Sequence, residues 1–365
     1  MTTYLLAGGG TAGHVNPLLA VADALREREP ADTVLVVGTA EGLEARLVPA
    51  RGYELLTIPR VPFPRRPDRA ALRFPAGWRR AVRIVQGIIA EHAVDVVVGF
   101  GGYASAPAYR AARRAGVPIV LHEANARPGI ANRLGARWAA GVGTAFPGTP
   151  LPGAQLVGMP LRREIAQLDR GVARAQGQEL FGLDPQRPTL LVTGGSLGAR
   201  RINQTITARA EAILDAGYQI LHIWGGLTEL DAPERPGHIL MRYCERMDLA
   251  LAVADVAFSR AGAATVSELT GLGIPAVYVP YAVGNGEQRF NVASVVEAGG
   301  ALVVADAECT PEWVDRVLLP LLADEPRLRA MGEAARQAGI LDGAERMVAL
   351  VDTAIARPGD VPLTP

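Results

Sequence analysis

The chain has 365 residues, 49% of them apolar, and its 37 basic residues balance its 37 acidic ones. At roughly 100–200 residues per domain this length suggests two domains with sizeable cores, and zero net charge argues against a surface built as a whole for nucleic acid. Every basic residue is an arginine, which excludes a Schiff-base lysine and a P-loop lysine. Cys244 and Cys309 lie far apart without zinc spacing, so the chain reads as reduced and cytosolic. The opening Met-Thr-Thr-Tyr-Leu-Leu-Ala-Gly lacks a basic leader and a long apolar run, so a buried strand is expected there and not a signal peptide. No segment reaches the roughly 18 apolar residues of a membrane span.

In chain order, Tyr4–Ala7 reads as a strand, Gly8-Gly-Gly-Thr-Ala-Gly-His14 as a glycine turn, and about Pro17 to Arg28 as a helix. Gly8, Gly10 and Gly13 nearly trace the dinucleotide-binding fingerprint. The acidic residue expected after the second strand is missing, because Val34–Val37 runs into Gly38-Thr-Ala-Glu41, so a nicotinamide cofactor is disfavoured. His14, at the mouth of the turn, has two readings: a general base near neutral pH, or a capping and packing group. Strands at Asp95–Gly99 and Pro118–Leu121 alternate with helices near Leu43–Ala50, Trp78–His92, Ala106–Ala115 and Ile130–Ala136. That alternation predicts a parallel, doubly wound sheet, whose ligands bind beyond the carboxyl ends of the strands. Phe100-Gly-Gly-Tyr-Ala-Ser105 and His122-Glu-Ala-Asn125 are two such ends, expected to point at the same crevice as Gly8–His14.

Residues 60–83 carry eight arginines against one acid, Asp68, with Phe63, Leu72, Phe74 and Trp78 among them. Basic groups mixed with exposed aromatics suit an anionic membrane surface; the plainer alternative is a solvated basic face with its aromatics in the core. Nucleic acid is the weaker option, because no recognised module accompanies the patch.

After Val157-Gly-Met-Pro-Leu-Arg-Arg163 the pattern restarts, with a polar helix from Arg170, a strand at Thr189–Thr193, a turn at Gly194-Gly-Ser-Leu-Gly-Ala199 and a helix at Arg200–Leu214. Further strands are expected at Gln219–Trp224, His238–Met241, Asp255–Phe258, Ala276–Val279 and Ala301–Val304, and a last helix at Leu341–Ile355. Two similar Rossmann-like domains follow, with their boundary near Gly158–Arg163. The densest signal is Ser259-Arg-Ala-Gly-Ala-Ala-Thr-Val-Ser-Glu268, a strand end, a glycine and a helix opening at about Ala263. The start of a helix offers unpaired N–H groups and the positive end of its dipole, which seat a phosphate. Glu268, in the second turn, can accept from a pair of ribose hydroxyls. An amphipathic helix with a solvated glutamate is the alternative. Two sheets across a cleft, glycine turns on both sides and a diol-binding glutamate suggest a sugar-nucleotide enzyme.

Gly9-Gly-Thr-Ala-Gly-His14, Gly101-Gly-Tyr103, His122-Glu-Ala-Asn125, Gly158-Met-Pro-Leu-Arg162, Gly194–Ala199, Ser259–Glu268 and Glu287-Gln288 occur in order over nearly the whole chain. Together they resemble the MurG family of peptidoglycan N-acetylglucosaminyltransferases, in glycosyltransferase family 28. The resemblance implies a GT-B fold, α/β, with an acceptor and membrane domain at 1–160 and a UDP-GlcNAc domain at 161–340. A helix at about 341–356 would return to the first domain. It implies inverting transfer of GlcNAc from UDP-GlcNAc to the C4 hydroxyl of MurNAc-pentapeptide in lipid I, giving lipid II, at the cytoplasmic face of the membrane. Contacts with other cell-wall synthesis proteins fit that setting.

Carried over by position, Glu268 holds the ribose, the backbone N–H groups of Ala263, Ala264 and Thr265 hold the donor phosphate, and Val266 and Ser267 are further substrate-binding positions of the same segment. The backbone at Cys244 reads uracil and Gln288 meets the GlcNAc hydroxyls. Ser196 and Arg162 meet the diphosphate, while Thr11, Ala12, Gly13 and Asn125 border sugar and acceptor. His14 is the expected base, with Glu123 as the alternative. Arg162, Arg260 and the helix start would stabilise departing UDP; no cofactor or metal is implied, and no D-x-D pair occurs. Met159-Pro160 stands where the family often has Asn-Pro, and Glu287 where it often has glutamine. Arg163 beside Arg162 leaves open which one faces the diphosphate. Another GT-B enzyme, such as a UDP-GlcNAc 2-epimerase or glycolipid transferase, and a non-catalytic sugar-nucleotide binder are the rival readings.

Overall fold

A computed structural model describes residues 1–64, 69–195, 199–226, 233, 235–281 and 286–356, the side chains of 69–71 excepted. The chain forms two compact units. One comprises Met1–Arg162 and the segment from Asp342 onward, the other Arg163–Leu341.

The first unit is built on β1 (Thr3–Ala7), β2 (Thr33–Gly38), β3 (Glu54–Thr57), β4 (Val96–Gly99), β5 (Ile119–Glu123), β6 (Gly141–Thr144) and β7 (Ala154–Leu156). They pair in parallel in the order β3-β2-β1-β4-β5-β6-β7. The central strands are continuous apolar runs because both faces are covered. Tyr4, Leu6, Val96, Val98 and Val120 face the helix Ala12–Arg28 and the last helix, Gly343–Ala356. Leu5, Ala7, Val97, Ile119 and Leu121 face the helices Arg69–Glu91 and Ser105–Ala115. Met347 and Val351 of the last helix are completely buried in this sheet's core, each contributing about 1.5–3 kcal/mol of apolar burial.

The second unit contains β8 (Thr189–Thr193), β9 (Gln219–Ile223), β10 (His238–Met241), β11 (Val256–Ser259), β12 (Ala276–Tyr278) and β13 (Ala301–Val303), all parallel, in the order β10-β9-β8-β11-β12-β13. Each unit is thus wound alike. The first strand of each sheet lies between its second and fourth, so the winding reverses between β1 and β4 in one unit and between β8 and β11 in the other. The loops beyond the carboxyl ends of these pairs splay apart and leave a crevice.

Strands β3, β6 and β7 of the first sheet were not expected from the sequence, and three helices depart from expectation. The first helix begins at Ala12 instead of near Pro17; proline favours the first helical position, but here it sits further in, and His14 lies in the first turn. The helix expected from Trp78 already runs from Arg69, with Pro75 inside it. The helix expected over Arg200–Leu214 breaks at Arg209 (φ −120°, ψ 12°), whose guanidinium bonds Asp315 at 2.9 Å. The break brings Ala210 and Ile213 fully into the core. The aromatics of the basic stretch are not exposed: Phe63, Phe74 and Trp78 form a half-buried cluster with ring centroids 5.6–5.7 Å apart. Phe74 and Trp78 pack on the core, while Leu72 is 82% exposed. Arg65, Arg66 and Asp68 lie outside the described residues.

Candidate active site

In the first unit, the turns after β1 and β4 pack against each other at the reversal point. Gly101 and Gly102 have φ of 86° and 81°, a region costly for any residue with a Cβ. A Cβ on Gly101 would sit 3.0 Å from the His14 ring, and one on Gly102 would strike the Gly9 backbone. Ser105 ties this turn down, its Oγ lying 2.8 Å from the Ala7 carbonyl and 2.7 Å from that of Gly101.

His14 is half-buried against these turns. Its Nδ1 lies 3.2 Å from the Gly9 carbonyl and 3.1 Å from Thr11 Oγ1. A carbonyl only accepts, so Nδ1 carries the proton and Nε2 is left with a lone pair. Burial pushes the imidazole pKa down, against the bond to Gly9 and the negative charge of Glu44, which raise it. The net direction is downward, so the ring is neutral near pH 7 and able to take a proton. Thr11, the N-cap, makes no side-chain cap; it is exposed, as is Gly13, and Ala12 is half-buried.

Glu123 is 4% exposed. One carboxylate oxygen accepts from the Asn125 N–H at 2.9 Å; the other accepts from the Gly129 N–H and Asn132 Nδ2, each at 3.0 Å. Burial raises its pKa against the pull of these donors. Both oxygens are thereby committed to shaping the loop that carries half-buried Asn125. Asn132 extends the bracing, accepting from the Tyr109 hydroxyl at 2.7 Å and donating to the His122 carbonyl at 2.9 Å. His122, wholly buried, has its Nε2 2.9 Å from the Gly158 carbonyl. Burial lowers its pKa to about 4, which keeps it neutral.

Sequence reasoning passed over Glu44. It is fully buried and accepts from the Gly10 N–H at 2.7 Å and from the Thr39 N–H and hydroxyl at 2.9 and 2.8 Å. Burial opposes its charge, but these donors outweigh burial and hold its pKa below the usual carboxylate value. Nearby, Gly10, Thr11, Thr39, Glu41, Gly42, Arg60 and Tyr103 line a cavity of about 150 Å³. Arg60 donates to the Tyr103 hydroxyl at 3.2 Å and lies 4.5 Å from that ring.

In the second unit, the helix Ala263–Gly271 starts directly beyond β11, with Gly262 as N-cap (φ −63°, ψ 143°) and no side-chain cap. The N–H of Val266 is the first to close inward, on the Gly262 carbonyl at 2.9 Å. The preceding N–H groups, at Ala263, Ala264 and Thr265, are those a helix start leaves for a ligand. Val266 was expected among the substrate-binding positions; its N–H is taken up by the helix and its side chain is 2% exposed, in the core. Ser267 and Glu268 are half-buried on the same helix. Gly195, beyond adjacent β8, has φ of 80°. Ser196 lies outside the described residues. Cys244 is buried in the loop between β10 and the helix Met247–Val253.

Gln288 and Arg260 are engaged differently from expectation. Gln288 Oε1 accepts from the N–H of Ala261 at 3.2 Å and of Tyr281 at 2.9 Å, pinning the loops beyond β11 and β12. Asn291, fully buried, donates to the Ala261 carbonyl at 3.3 Å, a bracing contact that sequence reasoning missed. Arg260 donates to the Val279 carbonyl at 3.0 Å and pairs with Asp306 at 2.5 Å. Asp306 also faces Arg201, at 3.3 Å. Arg260 is thus held in place by Asp306, and the two guanidiniums against one carboxylate leave this cluster with a net positive charge. Of the two linker arginines, Arg163 is exposed and bonds Gln167, just beyond its own short helix, at 3.0 Å, whereas Arg162 is half-buried.

Two doubly wound parallel sheets, each on its own Rossmann-type unit, are the architecture of the GT-B class of enzymes. Comparison with known proteins is more specific. Residues 4–144 match the glycosyltransferase family 28 N-terminal domain and residues 189–347 match the C-terminal domain of that family. A relative from Leifsonia xyli subsp. xyli is 64% identical over 98% of this chain and 99% of its own, and is named UDP-N-acetylglucosamine–N-acetylmuramyl-(pentapeptide) pyrophosphoryl-undecaprenol N-acetylglucosamine transferase. The crystal structure of Acinetobacter baumannii MurG is similar at a TM-score of 0.79 and 28% identity, covering 96% of this chain and 99% of that one. A UDP-GlcNAc 2-epimerase from Neisseria meningitidis shares the fold, at a TM-score of 0.68 and 14% identity over 96% of this chain and 99% of that one. The chain belongs to glycosyltransferase family 28. It is a glycosyltransferase with the GT-B fold.

Proposed function

We infer that the enzyme transfers GlcNAc from UDP-GlcNAc to the 4-hydroxyl of the MurNAc-pentapeptide of undecaprenyl-pyrophosphate-linked lipid I, forming lipid II. The observation that carries this function is the near-full-length identity to relatives named for that transfer. The roles of individual residues are our assignment. The helix start at Ala263–Thr265 holds the UDP phosphates, and Glu268 accepts from the ribose hydroxyls. Gln288 keeps the seat in shape through its oxygen and turns its amide NH₂ to the sugar. The loop at Cys244 borders the uracil, and Arg162 faces the diphosphate.

His14 Nε2 takes the proton of the acceptor hydroxyl. The hydroxyl oxygen bonds to C1 of GlcNAc as the bond from C1 to the UDP oxygen breaks, with inversion. UDP leaves with the electron pair, and the dipole and N–H groups of the helix start stabilise the charge it gains. Glu123 serves as the brace of the Asn125 loop, a role its two occupied oxygens favour over that of base.

No helix of the described residues is long and apolar enough to cross a membrane. The lipid-linked acceptor is reached from the cytoplasmic surface, through the basic face of the helix Arg69–Glu91 and exposed Leu72. Arginines there meet anionic headgroups and Leu72 dips into the apolar boundary. The testing experiment follows UDP release from UDP-GlcNAc with a lipid I analogue and identifies the product. A GlcNAc–MurNAc product and no release without acceptor are expected; conversion of UDP-GlcNAc alone to an epimer would replace this function.

A further inference from the structure

Glu44 takes no part in the chemistry just described, yet it lies under the turn that carries it. Three glycines make room for it: a Cβ on Gly9, Gly38 or Gly42 would overlap the Glu44 side chain. Its three donors, the N–H groups of Gly10 and Thr39 and the Thr39 hydroxyl, come from the loops after β1 and β2. An ionised carboxylate only accepts, which matches three converging donors; an amide would turn an NH₂ group toward one of them. Gly10, held by Glu44, is bonded directly to Gly9, whose carbonyl receives the His14 Nδ1 proton at 3.2 Å. The carboxylate is thus two short links from the imidazole.

We propose that Glu44 is a positioning residue for the transfer: by holding the Gly10 N–H and placing a negative charge beneath the turn, it fixes the Gly9 carbonyl that orients His14. This rests on His14 acting as the base. The other charged or titratable groups beside this turn are Glu41 after β2, Arg60 after β3 and Tyr103 after β4. None of the three bonds the Gly9 or Gly10 backbone, whereas Glu44 does.

The test is a double-mutant cycle on the full-length enzyme, measuring kcat and KM for both substrates in the native protein, E44Q, H14A and E44Q/H14A. In the native background E44Q should lower kcat about 10-fold or more, the scale of a small misplacement of a reacting group, and leave the KM for UDP-GlcNAc within about twofold. In the H14A background the same change should lower kcat by less than about twofold, because the group it orients is gone. The acid limb of kcat/KM should move to lower pH in E44Q, since loss of the negative charge makes the imidazole harder to protonate. Equal losses in both backgrounds, or an acid limb that stays in place, overturn the proposal. If E44Q does not fold, Gly42→Ala replaces it, since its added methyl displaces the carboxylate while keeping the charge; a native kcat in that variant also overturns the proposal. An H14A enzyme with near-native kcat removes the base itself and this proposal with it, and that failure is visible in its own arm.

Discussion

Replacing His14 by alanine tests the chemistry most directly. The substitution removes the unprotonated Nε2 and keeps the Gly10 N–H anchored by Glu44. A positioned general base contributes about 10²–10⁴-fold, so kcat should fall by that factor, equivalent to about 3–5 kcal/mol at 1.36 kcal/mol per tenfold. The donor seat proposed at Ala263–Thr265 belongs to the other unit, so UDP affinity by calorimetry should stay within about twofold. The native pH profile adds a sign. Burial holds the His14 pKa below 6.5, and the base must be neutral. The rate should therefore be on its plateau at pH 7 and be lost only as pH falls through that lowered value. UDP release with a lipid I analogue, followed from pH 5 to 8, measures both effects. A loss of kcat under about 10-fold, or an H14A enzyme that keeps the native acid limb, would refute the reasoning.

Glu268→Ala should weaken UDP-GlcNAc binding by about 1–3 kcal/mol, the scale of a lost hydrogen bond to a charged group, with the loss absent for a donor analogue lacking both ribose hydroxyls; titration calorimetry reads it, and unchanged affinity would remove the diol role. Reversing Arg73, Arg79 and Arg80 to glutamate should release the protein from anionic vesicles in a sedimentation assay while leaving kcat intact with a short, water-soluble acceptor. Binding that survives the reversal would make the stretch an ordinary solvated face. Gly143→Ala should destabilise the first unit by about 1–3 kcal/mol, as overpacking does, because the new methyl would lie 2.9 Å from Val157 and 3.0 Å from Met347. A lowered unfolding midpoint in urea is the check, and an unchanged midpoint would mean the last helix yields without cost.

Local pattern sufficed for the central strands and for the glycines that follow β1, because a strand buried on both faces must be a short run of apolar residues and a turn with positive φ, as at Gly10, calls for glycine. It also placed the helix start at Ala263, where an apolar strand runs into glycine and then into good helix formers. The residues that shape the site were harder to see. Glu44 reaches the Gly10 N–H across an intervening helix and strand, and no periodicity links positions so far apart. Glu123 looked like a catalytic carboxylate by residue type, yet its oxygens meet three donors presented by Asn125, Gly129 and Asn132. Arg260 looked like free positive charge until Asp306 was folded against it.

Sequence alone determined that the first strand of each unit is followed by glycines and then by a helix, because these signals lie within a few residues of one another. Tertiary structure decided which strands complete the first sheet. Gly141-Val-Gly-Thr144 has little strand character by composition, but its glycines face the last helix, where a Cβ would stand 3.0 Å from Leu350 or Met347. The segment is a strand because a helix some 200 residues later in the chain packs against it, and contacts made at such separation leave no local trace in the order of residues.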